Sequence, residues 1–332
     1  MPAHERPGMQ YAGTFTFHND DADVVVHREL PASAPKAALM IAHGMAEHAA
    51  RYARFAGALA RAGYAAYQPD LRGHGLTAGA RTQLGRLGPD GWNGMVRDLE
   101  RLAEVVRAEL PGVPLVAFGH SMGSILTQRF MQLHGVELAG AILSGTTGSA
   151  PNLALAIPVA QVAALGPGGG KPSPLLKQMF ADFNKPFAPH RTGFEWLSRD
   201  EAEVQKYVDD PRCGFAFTNR SLVDTLKGWR EVWKPENERG IPAGLPVLMF
   251  AGELDPVGRN TAGVRELAER YRTLGLRDVE VRFYPEGRHE MLNETNREDV
   301  QRDVIAWLDA HLAGNAQSRK MSSPSGVPGE TA

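Results

Sequence analysis

Short runs rich in apolar, β-branched or aromatic residues recur along the chain: Thr14–His18, Asp23–Arg28, Ala37–Ala42, Tyr64–Gln68, Pro114–Phe118, Ala139–Leu143, Pro246–Ala251 and Val279–Tyr284. Several are continuously apolar rather than alternating, as in LMIA, PLVAF and VLMFA. Strands buried on both faces read this way, and they require helices on both faces. The intervening segments supply them. From Trp92, apolar residues fall at Met95, Val96, Leu99, Leu102, Ala103, Val106 and Leu110, a stripe at helical spacing with Asp90 at the N-cap position. Tyr52, Phe55 and Leu59 share one face of a second helix. Val300, Val304, Trp307, Leu308 and Leu312 mark the last, with Thr295 and Glu298 at capping-box spacing before it.

The first two runs are separated by Asn19–Ala22 and predict a hairpin. From there strands alternate with helices, which predicts a mostly parallel, doubly wound sheet of eight strands in all. The alternation stops between residues 147 and 241, where Pro158, Pro167, Gly168, Pro172, Pro174, Pro186 and Pro189 interrupt the chain. Helical pieces remain there, at Leu153–Leu165 and Glu201–Val208, without a strand. The predicted organisation is a core of residues 1–146 and 242–313, with a helical cap, 147–241, inserted after the sixth strand. The polar tail 314–332, rich in Pro, Gly and Ser, is expected to be disordered.

Composition narrows the function. The 332 residues are 43% hydrophobic and 22% charged, with 36 Lys+Arg against 38 Asp+Glu and a net charge of −2. This is a globular balance, and it gives no electrostatic reason to expect a nucleic-acid partner. The one cysteine, Cys213, excludes an internal disulfide and a Cys-rich zinc site. The N-terminal residues hold no apolar stretch of secretory length, and no window of about 18 apolar residues exists to span a membrane. The expectation is a cytoplasmic protein whose contact with a membrane, if made, is peripheral and through the cap.

The strongest chemical signal is Gly119-His120-Ser121-Met122-Gly123, the only G-x-S-x-G in the chain. A strand precedes it and the apolar stretch Ser124–Leu133 follows. That order, strand, sharp turn with Ser at its tip, then helix, is the nucleophile elbow. A serine hydroxyl is a poor nucleophile until a base takes its proton, and the base needs an acid to orient it. Two later strands end in loops that carry such groups. Val247–Ala251 runs into Gly252-Glu253-Leu254-Asp255-Pro256, and Val279–Tyr284 runs into Pro285-Glu286-Gly287-Arg288-His289. Ser121, Asp255 and His289 are therefore the candidate nucleophile, acid and base. Glu253 competes with Asp255, which is preferred because Pro256 turns its loop clear of the strand. His134, His190 and His311 compete with His289. The first ends a helix, the second lies in the cap, and the third sits near the packed face of the last helix. Two backbone N–H groups should receive the oxyanion: that of Met122, next to the serine, and that of Met45, in the loop after Ala37–Ala42.

The segments HGMAEHAARY, DLRGHG, GHSMGS, GELDPVG and GRHEMLNE, in this order and spacing, resemble the α/β-hydrolase superfamily. Within it the chain is most similar to the monoacylglycerol lipase and lysophospholipase group, of serine aminopeptidase S33 type. The resemblance spans all but the tail. It implies the α/β-hydrolase fold, a triad of Ser121, Asp255 and His289, an oxyanion hole at Met45 and Met122, and no cofactor. Ala46 stands where this group usually has glycine, and Thr77 where serine is common. The cap, where the group varies, carries the least resemblance.

Other residues have plain readings. His43, His48 and His74 match no zinc spacing and are expected to bond backbone rather than a metal. Asp70, Arg72 and Glu47 either pair near the site or are solvated. Leu153–Leu165 packs the cap, lines an acyl pocket or touches a membrane, packing being the simplest. Met179, Phe180, Phe183, Phe187, Phe194 and Trp196 are pocket wall or cap core alike. The favoured function is a serine ester hydrolase whose small-molecule substrate is an acyl ester such as a monoacylglycerol or lysophospholipid. The same triad also serves a small-ester esterase, a thioesterase or an acyltransferase, and the same scaffold serves non-catalytic binding proteins.

Overall fold

The computed structural model describes residues 12–150 and 152–321. The strands are β1 (Ala12–Asn19), β2 (Ala22–Glu29), β3 (Ala38–Ala42), β4 (Ala65–Pro69), β5 (Leu115–His120), β6 (Gly140–Ser144), β7 (Val247–Gly252) and β8 (Val279–Tyr284). They form one sheet in the order β1-β2-β4-β3-β5-β6-β7-β8. The β1–β2 hairpin is antiparallel, with Asn19 opposite Ala22, and β2 pairs antiparallel with β4. Every other pairing is parallel.

The continuous apolar runs have the expected cause. β3 to β7 are buried along their whole length. Successive side chains feed opposite cores. Leu39, Ile41, Val116 and Phe118 meet Phe55 and Leu59 of α1 (Ala53–Arg61), together with Val300, Val304 and Trp307 of the C-terminal helix. Met40, Ala42, Leu115 and Ala117 meet the other layer. That layer is built by α2 (Gly91–Glu109) and α3 (Met122–His134).

Between β6 and β7 the described residues form the α-helices α4 (Leu153–Ala163), α5 (Pro174–Phe180), α6 (Glu201–Asp209), α7 (Asn219–Val232) and α8 (Pro235–Glu238). Pro174 and Pro235 sit in the first turn of α5 and α8, where a missing N–H costs nothing. The Asp200 carboxylate caps α6, accepting from the N–H groups of Ala202 and Glu203. The Thr218 hydroxyl caps α7 by accepting from Ser221. Each such cap contributes on the order of 1 kcal/mol. Leu153, Ile157, Leu222 and Leu226 of the insertion belong to the same apolar cluster as Trp92 and Ile125, so the insertion is packed onto the sheet layer. After β7 come α9 (Ala262–Thr273) and, after β8, α10 (Arg297–Met321).

Three local expectations need correction. Asp90 occupies the N-cap of α2 but does not cap it: its backbone is left-handed, and its carboxylate is held by Asn93 and Arg97 instead. Thr295 forms no capping box with Glu298, because Arg297 opens the helix and the Thr295 N–H goes to the Glu294 carboxylate. The backbone stays helical as far as Met321, through the first residues of the segment expected to be disordered; the rest of that tail, 322–332, lies outside the described residues.

Candidate active site

Ser121 sits between β5 and α3 at φ 53° and ψ −120°, a backbone conformation that a non-glycine residue adopts only when its surroundings impose it. The flanking glycines show how they do so. A Cβ on Gly119 would strike the Gly123 carbonyl and the Thr127 hydroxyl, and one on Gly123 would strike the Ala42 carbonyl. Strand and helix meet too closely for any side chain, and the serine is left at the tip of the turn. It lines a cavity of about 870 Å3.

Asp255 follows β7 and His289 follows β8, at the ends of adjacent parallel strands. Both are buried, and His289 Nδ1 lies 3.0 Å from each Asp255 carboxylate oxygen. A carboxylate only accepts, so Nδ1 carries the proton and donates it, which leaves Nε2 with a free lone pair. Burial alone would lower the pKa of His289. The adjacent Asp255 charge and hydrogen bond outweigh it, and the pKa is raised above 6.5. Asp255 Oδ1 also accepts from the Val257 N–H at 2.9 Å. Glu253 is exposed, His134 pairs with Glu100 and Glu137, His190 is exposed, and His311 donates to the Trp307 carbonyl. His289 lines the same cavity as Ser121, Met45 and Met122.

The loop after β3 is organised from within. His43 Nε2 accepts from the Leu71 N–H at 3.0 Å, and its Nδ1 donates to the Gly44 carbonyl at 2.7 Å. The Gly44 N–H donates to Glu47. Among the described residues nothing accepts from the Met45 N–H. Met122 opens α3, so its N–H has no partner within the helix. Glu47 also accepts from Arg51 at 2.6 Å and from the Tyr52 hydroxyl at 2.8 Å. Burial works against its charge, yet Arg51 and its other neighbours hold its pKa down at about 2.

Several expectations about neighbouring residues are resolved. Asp70, Arg72 and Glu47 do not pair with one another. Asp70 accepts from the N–H groups of Ala49 and Leu76, Arg72 pairs with Asp98, and Glu47 pairs with Arg51. His43 and His74 bond backbone carbonyls, and burial pushes the His74 pKa down to about 3. His48 turns away to Asp210 at 2.7 Å, with Cys213 close to both. Leu153 and Ala156 of α4 line the cavity, while Leu155, Val159, Val162 and Leu165 point outward. Phe180, Phe183, Phe194 and Trp196 are cavity wall.

Other partners of the site were not legible beforehand. His120 packs against His289 with centroids 4.6 Å apart and the rings tilted by 46°, and burial lowers its pKa to about 4, so it adds no charge beside that imidazole near neutrality. Trp196 packs on the same imidazole, 5.1 Å away. Glu290 clasps Arg51 with both oxygens. The Glu47–Arg51 spacing of four residues was the one available sign of this network.

The profile of the serine aminopeptidase S33 family matches residues 33–296. The chain belongs to this family. It is similar to the monoacylglycerol lipase of Mycolicibacterium smegmatis, 29% identical over 285 residues, which covers 85% of this chain and 91% of that protein. The monoglyceride lipase of Rattus norvegicus is 26% identical over 289 residues, covering 85% and 86%. Among solved structures, a thermostable carboxyl esterase from Bacillus coagulans in complex with glycerol superimposes with a TM-score of 0.86 at 27% identity, covering 92% of this chain and 100% of that one. A soluble variant of the Saccharomyces cerevisiae monoglyceride lipase, in complex with a substrate analogue, gives 0.68 at 20% identity, covering 93% and 98%. The fold is that of the α/β-hydrolases. No helix among the described residues is long and apolar enough to cross a membrane.

Proposed function

We propose that the chain is a carboxylic ester hydrolase in which Ser121, His289 and Asp255 act as nucleophile, base and orienting acid on uncharged medium- or long-chain acyl esters, monoacylglycerol foremost. The observation that carries this reading is the meeting, in one cavity of about 870 Å3, of a strained serine, a carboxylate-oriented histidine and an apolar wall from the insertion. His289 Nε2 takes the Ser121 proton as Oγ attacks the ester carbonyl. The N–H groups of Met45 and Met122 receive the oxyanion. His289 returns the proton to the leaving alcohol, and water then attacks the acyl-enzyme by the same base.

The charges facing the cavity favour a neutral head group over a phosphate. Glu47 and Glu290 line it, Arg51 is held between these two carboxylates, and the lining Arg259 is paired with Glu266. The relatives named as monoacylglycerol lipases, and the glycerol complex of the Bacillus coagulans esterase, support the same choice. We read residues 147–241 as a lid on the core of 1–146 and 242–313. The outward face of α4, with Leu155 75% and Val162 70% exposed, would meet a lipid surface.

The test is hydrolysis of monoacylglycerol, lysophosphatidylcholine and a series of aryl esters by the wild type and Ser121→Ala, with labelling by a fluorophosphonate. Monoacylglycerol and decanoyl esters should be preferred, and both turnover and labelling lost in the variant. Undiminished turnover in Ser121→Ala removes the mechanism, and a strict preference for acetyl esters removes the lipid substrate.

A further inference from the structure

Trp233, just past the end of α7, lines the cavity beside Trp229, with ring centroids 6.3 Å apart. Its indole N–H donates to Gln128 Oε1 at 3.1 Å. Gln128 is fully buried on α3, and its amide nitrogen donates to Thr146 Oγ1 at 3.0 Å and to the Thr147 carbonyl at 3.1 Å. Thr146 Oγ1 lies 2.8 Å from Ser124 Oγ, and Ser124 Oγ lies 2.6 Å from the Ser121 carbonyl oxygen. Ser124 and Thr146 are fully buried as well.

Proton arithmetic gives this series a direction. An indole N–H only donates and a carbonyl only accepts. The single hydroxyl hydrogen of Ser124 therefore goes to Ser121, and Thr146 must supply its own to Ser124. Four hydrogen bonds in series point from the cavity wall to the backbone of Ser121. Bonds in such a chain polarise one another, and breaking one leaves a buried polar group unpaired. The far end is braced too, since Gln132 on α3 donates to the Val232 carbonyl at 2.7 Å, next to Trp233.

The end point gives the series its significance. The Ser121 carbonyl and the Met122 N–H belong to one planar peptide, so whatever turns the first turns the second. The N–H groups of Ser124 and Ile125 also donate to that carbonyl, at 2.9 and 3.3 Å. Ser124 Oγ is the third donor, and the one joined to Trp233 through side-chain hydrogen bonds.

We propose that Trp233 is a positioning residue. An acyl group long enough to press on the indole holds its N–H on Gln128, and the relay through Thr146 and Ser124 then fixes the Ser121–Met122 peptide with its N–H aimed at the oxyanion. Chain length is thus read as turnover and not only as binding. The inference rests on the reading of Ser121 as nucleophile and Met122 as oxyanion donor.

The experiment compares kcat and KM for decanoyl and acetyl aryl esters in the wild type, Trp233→Phe, Thr146→Val and Thr146→Ser. Trp233→Phe keeps an aromatic ring and removes the N–H. The ratio of decanoyl to acetyl kcat should fall about threefold to tenfold, the worth of one buried hydrogen bond, with KM for decanoate changed by less than about twofold. Thr146→Val should reproduce the fall, and Thr146→Ser, which keeps the hydroxyl, should recover it. A rise in KM with kcat intact would make Trp233 a wall alone and overturn the proposal. So would an equal fall on both esters, or Thr146→Ser impaired as deeply as Thr146→Val. Should Trp233→Phe fail to fold, the Thr146 pair decides. Failure of the wild type to take a fluorophosphonate at Ser121 would instead strike the nucleophile reading beneath it.

Discussion

Arg51 makes a two-pronged ion pair with Glu290, Nη1 to Oε1 at 2.5 Å and Nη2 to Oε2 at 2.7 Å. The contact joins the turn after the β3 loop to the residue that follows His289, and Glu47 closes it from the other side. Two buried carboxylates beside the cavity thus share one guanidinium. Arg51→Met should leave both without their counter-charge and cost on the order of 3–5 kcal/mol, read as a lower urea midpoint. Arg51→Lys restores the charge but not the fork, so its midpoint should fall between the two. A midpoint for Arg51→Met equal to that of the wild type would show the network to be idle.

The raised pKa of His289 fixes the sign of two pH effects. As the proposed base the imidazole must be neutral, so kcat/KM should fall on the acid side through a value above the 6.5 of a free histidine. Asp255→Asn removes the attraction and keeps the burial. The acid limb should then move to lower pH, while the plateau drops by about 10^3–10^4-fold because the imidazole is no longer held in the reactive tautomer. The stability contribution has the opposite sense. It is fully present below 6.5 and is lost as pH rises through the folded-state value. An acid limb that Asp255→Asn leaves in place would disconnect this carboxylate from the His289 imidazole.

Much of this architecture was legible in the sequence, and the reasons are physical. β3 and β5 are short, continuously buried and flanked by helices, so their pattern had one reading. Ser121, Asp255 and His289 each follow a strand, and parallel strands deliver their carboxyl ends to one rim. The insertion was legible only as an interruption. Its contacts are set by long-range packing, as where Gly214 and the Tyr207 hydroxyl both donate to the Ala46 carbonyl at 2.9 and 3.1 Å. Nothing near residue 46 announces partners so far along the chain. Asp90 and Thr295 misled because residue type and spacing suggest a cap, while neighbouring Arg97 and Glu294 took the bonds.

Gly123 offers a test of the elbow that leaves Ser121, Asp255 and His289 untouched. A methyl group there meets backbone on two sides, the carbonyls of Ala42 and His43, and neither can swing away as a side chain would. Gly123→Ala should force α3 off the sheet edge, with a stability loss of about 1–3 kcal/mol from overpacking and a fall in labelling by a fluorophosphonate. The melting temperature and the labelling rate together check this. A variant that labels at the wild-type rate would show that the strand and helix have more room than the close approach implies.

The outer face of α4 separates lipid contact from catalysis. Leu155, Val159 and Val162 are 75%, 57% and 70% exposed, whereas Leu153 and Ile157 on the inner face are buried. Replacing the first three with serine removes apolar surface from the outside without opening the core. If this face meets lipid, each side chain that enters the acyl boundary adds roughly 1–2 kcal/mol to binding, since about 25 cal/mol accrues per Å² buried. The triple variant should then sediment less with neutral phosphatidylcholine vesicles and turn over vesicle-bound monoacylglycerol at least about tenfold more slowly. Its kcat on a soluble butyryl ester should stay near that of the unmodified chain, because none of the three residues lines the cavity. Equal losses on both substrates would assign the face to packing of the insertion, and equal vesicle sedimentation would show that lipid is met elsewhere.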